Sequence, residues 1–275
     1  MKRARLKSKA LPPLPALALL GLAALAAAAP ARAGRSCEPA PGDAARVVKA
    51  LDLAYRTRLA LDDAGAQVAL LARAGQDLSK YKLTYSHLAL AWRDHPDGRW
   101  VVVHELNECG TAASALYNDG LGNFFLENLF EYKSIIILPN AKVQAALARV
   151  LASNTARRLH AAHYNMLAFP YSTKYQNSNQ WVLETYAAAN AAPGAVETRS
   201  EAQAWLNTAG YRPITLHIPA STRLGARMFR ANIAFDDQPF DRRMAGQIDT
   251  VTVDSVLRFI RERDPEMREI PVGLR

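Results

Sequence analysis

Apolar residues recur along this chain with two periods, one helical and one extended. After Asp43 they recur every three or four residues, as at Val47, Val48 and Leu51, which predicts a helix to about Leu61 with Asp43 as its cap. Short apolar runs bounded by turn residues predict strands at 68–72, 85–92, 99–106, 134–138 and 214–218. The turn sequence at 94–98 joins the second and third of these strands into a hairpin.

Residues that favour helix caps precede the other helical patterns. Asn140, the triplet 177–179, Thr198 and Asp254 each stand before such a pattern. They predict helices near 141–151, 178–189, 199–210 and 255–260. Residues 107–123 are expected to form a loop and 251–253 a short strand, while 220–250 give no clear pattern. Hairpin strands mixed with helices predict an α+β protein with an antiparallel sheet packed against helices.

The first 33 residues have the pattern of a secretory signal. Five basic residues precede the apolar run 16–29, and Ala31-Arg32-Ala33 fits a cleavage site. The run is short for a membrane span, so we expect a periplasmic or secreted protein with no stable span after cleavage. Cleavage lowers the formal net charge from +9 to +3, because residues 1–33 carry six basic and no acidic residues. We therefore expect no nucleic-acid partner.

Residues 34–275 are expected to form a single domain, with a core at about 66–190 and a C-terminal α/β extension at about 196–275. Cys37 and Cys109 both remain after cleavage. In an oxidising compartment they could form a disulfide; the alternative is that Cys109 is a reactive thiol.

A polar loop runs directly into the predicted helix at 178–189. Asn177, Ser178 and Asn179 are all capping residue types, so Ser178 has an ordinary structural interpretation as a cap. A helix start also suits a nucleophile, because its free N–H groups and dipole stabilise negative charge. Tyr171 and Tyr175 precede this position and could line a pocket or donate to an oxyanion.

Among the six histidines, His87 is the candidate base, because it lies within a predicted strand where a buried ring needs a polar partner. A structural histidine is the alternative interpretation. A five-residue hairpin loop would place Glu105 opposite His87, and a loop one residue shorter would place His104 there. We prefer Glu105. His160 and His163 lack a third ligand, so we assign no metal site and no cofactor.

Three segments resemble an uncharacterised family of exported bacterial proteins, domain of unknown function number 2145. They are 107–111 (Asn-Glu-Cys-Gly-Thr), 120–125 (Gly-Leu-Gly-Asn-Phe-Phe) and 177–181 (Asn-Ser-Asn-Gln-Trp). The order of a strand histidine, a polar residue on the next strand and a downstream nucleophile at a helix start also resembles the circularly permuted papain-like superfamily. That superfamily includes cell-wall peptidases and lecithin:retinol acyltransferase-like proteins, and the likeness covers roughly residues 66–190.

The superfamily resemblance implies a permuted papain-like fold, with Ser178 in the position of the usual cysteine and His87 as its base. Glu105 or His104 would orient the histidine. Independently of the resemblance, the candidate substrate-binding residues are Tyr171, Tyr175, Asn177, Asn179 and Asn107, and Asn107 and Glu108 could hold their loop against the site. Serine lacks the preformed thiolate of a cysteine–histidine pair. Two functions follow: a groove that binds a peptidoglycan peptide or a lipid without strong catalysis, which we prefer, or a serine-dependent amide or ester hydrolase or acyltransferase.

Overall fold

The computed structural model describes residues 43–127 and 129–274. The helices in these ranges are α1 (Ala44–Asp63), α2 (Leu121–Leu126), α3 (Ala141–Ala152), α4 (Thr155–Arg158), α5 (Ser178–Asn190), α6 (Arg199–Thr208), α7 (Ala220–Phe229), α8 (Phe240–Met244) and α9 (Val253–Arg263). The strands are β1 (Val68–Arg73), β2 (His87–His95), β3 (Gly98–Asn107), β4 (Ser114–Gly120), β5 (Lys133–Leu138), β6 (Ile214–His217), β7 (Gln247–Thr250) and β8 (Arg268–Gly273).

Six strands form one antiparallel sheet in the order β4-β3-β2-β1-β5-β8. Strands β6 and β7 pair separately as a small antiparallel sheet. The α+β class with an antiparallel sheet packed against helices is therefore confirmed. The segment 196–275, assigned from sequence as an extension, supplies β8, which pairs with β5 at one edge of the main sheet.

Helices cover both faces of the sheet centre. Leu70, Leu88 and Leu90 point toward a cluster that contains Trp181 of α5, and all four side chains are fully buried. The alternate residues, such as Leu71, contribute to a second cluster with α1 and α2. Burying a leucine stabilises the fold by ~2 kcal/mol. These two layers fix α5 against one face of the sheet, and hence the position of its first residue.

The β2–β3 hairpin has a tighter turn than either predicted register. His95 pairs with Gly98, which leaves a two-residue turn instead of a four- or five-residue loop. Continuing the register beyond the Leu90–Val103 pair places His87 opposite Leu106. Neither Glu105 nor His104 is therefore the direct cross-strand partner of His87, and both predicted pairings are wrong.

Three further predictions of local structure are corrected. Residues 107–123 are not one loop, because they contain β4 and the start of α2. The predicted strand at 251–253 is wrong, since β7 ends at Thr250. Thr252, and not Asp254, caps the last helix, and its side chain and that of Ser255 form a reciprocal capping box. Residues 220–250, unclassified from sequence, form α7, α8 and β7.

The predicted signal segment, residues 1–33, lies outside the described residues. Cys37 also lies outside them, so a Cys37–Cys109 disulfide stays a prediction. Within the described residues, no helix combines the length and apolar character needed to cross a membrane.

Candidate active site

Ser178 is the first residue of α5 and is not its cap. Asn177 takes that role, because its side-chain oxygen accepts a hydrogen bond from the backbone N–H of Gln180 at 2.8 Å. The Ser178 hydroxyl is therefore not committed to capping, although only 5% of the residue's surface is exposed. A helix start places the positive end of the helix dipole at this hydroxyl.

His87 lies against Ser178, as the sequence pattern predicted. The Nδ1 atom of His87 is 3.0 Å from the Ser178 Oγ atom. The next residue on each element strengthens the junction, since the Asn179 side-chain oxygen accepts a hydrogen bond from the Leu88 backbone N–H at 2.9 Å. Asn179 thus connects β2 to α5 and sets the distance between the imidazole and the hydroxyl. Its side chain has this structural role and does not line the cavity beside Ser178.

His104 and Asp119 extend the contact across two more strands. The Nε2 atom of His87 is 2.9 Å from Nδ1 of His104, and Nε2 of His104 is 3.1 Å from Oδ2 of Asp119. His104 pairs directly with Tyr117, so Asp119 is its diagonal neighbour on the same sheet face. His104 is likewise diagonal to His87. A chain of polar side chains therefore runs from α5 across β2, β3 and β4.

The Asp119 carboxylate determines which nitrogen carries the proton in the imidazole rings of His104 and His87. An ionised Asp119 can only accept, so Nε2 of a neutral His104 donates to it and Nδ1 accepts. His87 then donates from Nε2, which leaves its Nδ1 lone pair facing Ser178. The Ser178 hydroxyl must donate to that lone pair. This is the arrangement required for a neutral histidine to act as a general base.

Phe124 holds the two imidazoles in place. Its ring centroid lies 5.9 Å from that of His87 and 5.4 Å from that of His104. The phenylalanine is fully buried and belongs to α2, whose first three residues were expected to be part of a loop. The Arg73 guanidinium also lies over this ring, 4.5 Å from its centroid, and forms an ion pair with Glu127.

A tyrosine lies at the Ser178 backbone, but it is neither of those predicted. The Tyr164 hydroxyl forms hydrogen bonds with the side chain and the backbone N–H of Ser178. Burial raises the pKa of Tyr164, so its hydroxyl stays protonated and can donate. The other two tyrosines are held elsewhere: the Tyr171 hydroxyl donates to the Tyr211 carbonyl and the Tyr175 hydroxyl to Asp236.

The preference for Glu105 as the partner of His87 is corrected. Glu105 follows His104 on β3, so its side chain projects to the opposite side of the strand. It accepts a hydrogen bond from the Ser114 hydroxyl at 2.8 Å and is fully buried. That burial raises the pKa of the Glu105 carboxyl to about 8. The Glu105 carboxyl is therefore largely neutral at pH 7, whereas a partner that orients His87 and stabilises its charged form would have to be ionised.

The residues of this site lie within a match to a known protein family. A family model described as "Uncharacterized protein conserved in bacteria (DUF2145)" matches residues 60–260. The chain belongs to this family. No curated protein and no solved structure matches it significantly. The family expected from sequence is confirmed, whereas the likeness to the papain-like superfamily stays a prediction.

In this DUF2145 protein, a cavity of about 340 Å³ opens beside Ser178 and His87. Asn107 lines it, as do Glu105, Tyr164, Met166, Arg230 and Asn232. The predicted role of Asn107 in holding its loop has a geometric counterpart, since its amide nitrogen donates to the carbonyls of Thr111 and Ala113. Within the described residues, no group of three or more His, Cys, Asp or Glu has a metal-binding arrangement.

A buried ion pair lies behind the loop that leads to Ser178. Glu184 of α5 accepts from Arg199 of α6 at 2.8 Å, and also from Gln176, Gln180 and Gln203. Arg199 in turn donates to the carbonyls of Thr173 and Tyr175. This network holds the backbone just before the helix start. No pattern in the sequence indicated this network.

Proposed function

We propose that this protein is a serine-dependent acyl-transfer enzyme, an amide or ester hydrolase or an acyltransferase, with Ser178 as nucleophile and His87 as base. The observation that carries the proposal is the 3.0 Å contact between the Ser178 hydroxyl and the His87 lone pair, with His104 and Asp119 aligned behind it. Nucleophile, base and orienting group are the three parts that such chemistry requires.

The first half-reaction follows from this geometry. The Ser178 oxygen attacks the carbonyl carbon of the substrate while its proton passes to Nδ1 of His87. The resulting imidazolium is stabilised by His104, whose own Nε2–H points to the Asp119 carboxylate. Collapse of the tetrahedral intermediate breaks the bond to the leaving group, which takes the proton from His87. An acyl-serine remains, and water or another acceptor attacks it with His87 again as base.

The Tyr164 hydroxyl beside Ser178 is the candidate donor to the oxyanion of the intermediate. The Ser178 backbone N–H at the start of α5 would be a second donor once it exchanges its bond to Tyr164 for one to the oxyanion. Loss of one donor to an oxyanion typically slows such reactions by ~100-fold or more. The raised pKa of Tyr164 suits this role, since a protonated phenol can donate to the oxyanion.

A fluorophosphonate probe tests the nucleophile. We expect the wild-type protein to gain one phosphonyl group on Ser178, located by peptide mass spectrometry, and Ser178→Ala to gain none. The matched control is Ser172→Ala, which removes a serine from the preceding loop that does not line the cavity. Failure of folded wild-type protein to react would contradict the proposal. Ser178→Cys should then be tested with thiol reagents, since rapid modification would show an accessible and activated position.

The second candidate is a groove that binds its ligand without turnover. It is favoured by the low exposure of Ser178, which is 5%. An unreactive serine together with measurable ligand binding would support this function. In either case we propose an exported protein acting on a cell-wall peptide or a lipid in a papain-like groove, supported by the signal pattern of residues 1–33 and by the strand-histidine and helix-serine arrangement.

A further inference from the structure

Two residues that line the cavity beside Ser178 each have a buried side-chain oxygen without a hydrogen-bond partner in the part of the chain that the structure describes. Within the described residues, neither Oε2 of Glu105 nor Oδ1 of Asn232 has a partner. Glu105 is fully buried and Asn232 is 3% exposed, and both residues line the cavity. A buried polar atom without a partner destabilises the protein, so a ligand that supplies the missing hydrogen bond binds more tightly.

The hydrogen bonds of Asn107 fix which atom Asn232 presents. The Asn107 nitrogen donates to two backbone carbonyls, so its side-chain oxygen is left to accept. That oxygen accepts from the Asn232 nitrogen at 3.0 Å. The Asn232 oxygen therefore remains as an acceptor. Because carbonyl oxygens cannot donate, a partner for it must bring an N–H or O–H group.

Glu105 adds the capacity for negative charge. Its Oε1 atom accepts from Ser114, and its other oxygen has no partner among the described residues. Burial raises the pKa of Glu105 to about 8, which reflects the cost of an uncompensated charge. A cation near this oxygen would compensate the negative charge of ionised Glu105. It would thereby lower the pKa of the carboxyl and favour release of its proton. The charged groups that act on Glu105 are Arg199, which favours ionisation, and Glu184, which opposes it.

The other titratable groups around the cavity are paired, neutral or exposed to solvent. Arg73 forms an ion pair with Glu127, and Arg230 is exposed. The His87 ring nitrogens contact Ser178 and His104. The His160 ring contacts Ser114, and burial lowers the pKa of that ring, so it is neutral at pH 7. Tyr164 is protonated, as described above. Glu105 and Asn232 thus contribute acceptor atoms and one ionisable carboxyl to the cavity lining.

We propose that Glu105 and Asn232 form a subsite for the ammonium group of a primary amine carried by the acyl substrate of Ser178. The inference rests on the proposed function of that serine. An ammonium group supplies up to three N–H donors and a positive charge. It can donate to both oxygens and pair with the ionised form of Glu105. On binding, the proton of Glu105 passes to solvent, and no bond in the ligand changes.

Two fluorophosphonate probes of equal length test the subsite, one ending in a primary ammonium and the other in an acetamide. We expect the ammonium probe to label wild-type Ser178 about tenfold faster, the ratio given by one charge-assisted hydrogen bond. Glu105→Gln should bring the ratio close to one. Asp254→Asn is the matched control, since Asp254 also has an unpartnered buried oxygen but lies on α9 outside the cavity. A wild-type ratio near one, or a ratio unchanged in Glu105→Gln, would overturn the proposal.

Calorimetry separates failure of the subsite from failure of the proposed function. Wild-type protein is titrated with butylammonium and with butanol in buffers of different ionisation enthalpy. We expect tighter binding of butylammonium, proton release, and an affinity that rises with pH up to about 8 and then levels off, following the pKa of Glu105. Such binding without any labelling of Ser178 would support the subsite and reject the enzyme. Labelling with no preference between probes, and no butylammonium binding, would reject the subsite alone.

Discussion

Two buried glutamates near α5 differ in how completely they are hydrogen-bonded. Both oxygens of Glu184 accept hydrogen bonds, from Arg199 and three glutamines. Glu105 has one such bond, from Ser114, and one oxygen without a partner among the described residues. Glu184 is buried behind the loop that it holds, whereas Glu105 lines the cavity. The hydrogen bonds of Glu184 are therefore complete within the protein, whereas we propose that those of Glu105 are completed by a bound ammonium group.

The largest effect that would test this difference is on stability. Glu184→Ala leaves the Arg199 guanidinium buried without its carboxylate, so we expect a loss of about 3–5 kcal/mol in the free energy of unfolding. Asp52→Ala is the control, because it removes one end of an exposed ion pair with Arg56 on α1 and should cost far less stability. Urea denaturation measures both. Equal losses in the two variants would show that the network at Glu184 is not structural.

A smaller effect distinguishes Glu105 by its pH dependence. Because the pKa of Glu105 is raised to about 8 from an ordinary value of 4.5, the folded protein retains a proton that the unfolded chain releases. Its contribution to stability is present below pH 4.5 and is lost as pH rises toward 8, by up to about 1.4 kcal/mol per unit. Glu105→Gln cannot ionise. The stability of Glu105→Gln relative to wild type should therefore increase from pH 4.5 to about 8 and be constant above pH 8.

The measurement is the difference between the two unfolding free energies from pH 4.5 to 9. Groups that do not interact with Glu105 titrate equally in both proteins and cancel in this difference. A difference that does not change with pH would mean that Glu105 titrates normally, and would remove the electrostatic support for the ammonium subsite.

Local patterns predicted the elements that carry the Ser178–His87 contact. A strand histidine and a polar helix start are visible in sequence, and the structure places them 3.0 Å apart. The cap was ambiguous because three consecutive residues can each accept the free N–H groups, and only the backbone shows that Asn177 does so. The register was not predictable from the turn residues alone, because Asp94, His95 and Gly98 fit a loop as well as strand ends.

The rest of the site depends on contacts between distant parts of the chain. Asp119 was missed because β4 is half exposed and lacks a clear alternation of apolar residues. Tyr164 lies in no regular element and is positioned by an isolated bridge to Gln176. The choice between Glu105 and His104 turned on one residue of register, which places neighbouring side chains on opposite sides of a strand.

The most direct test of the account is the effect of His87 on the reactivity of Ser178. The second-order rate of fluorophosphonate labelling at Ser178 is measured in wild type, His87→Ala and His95→Ala. His95 is the control, because it ends the same strand at the hairpin turn, far along β2 from the serine. We predict that His87→Ala slows labelling by ~100-fold or more and that His95→Ala stays close to wild type. Equal rates in wild type and His87→Ala would contradict the assignment of His87 as the base.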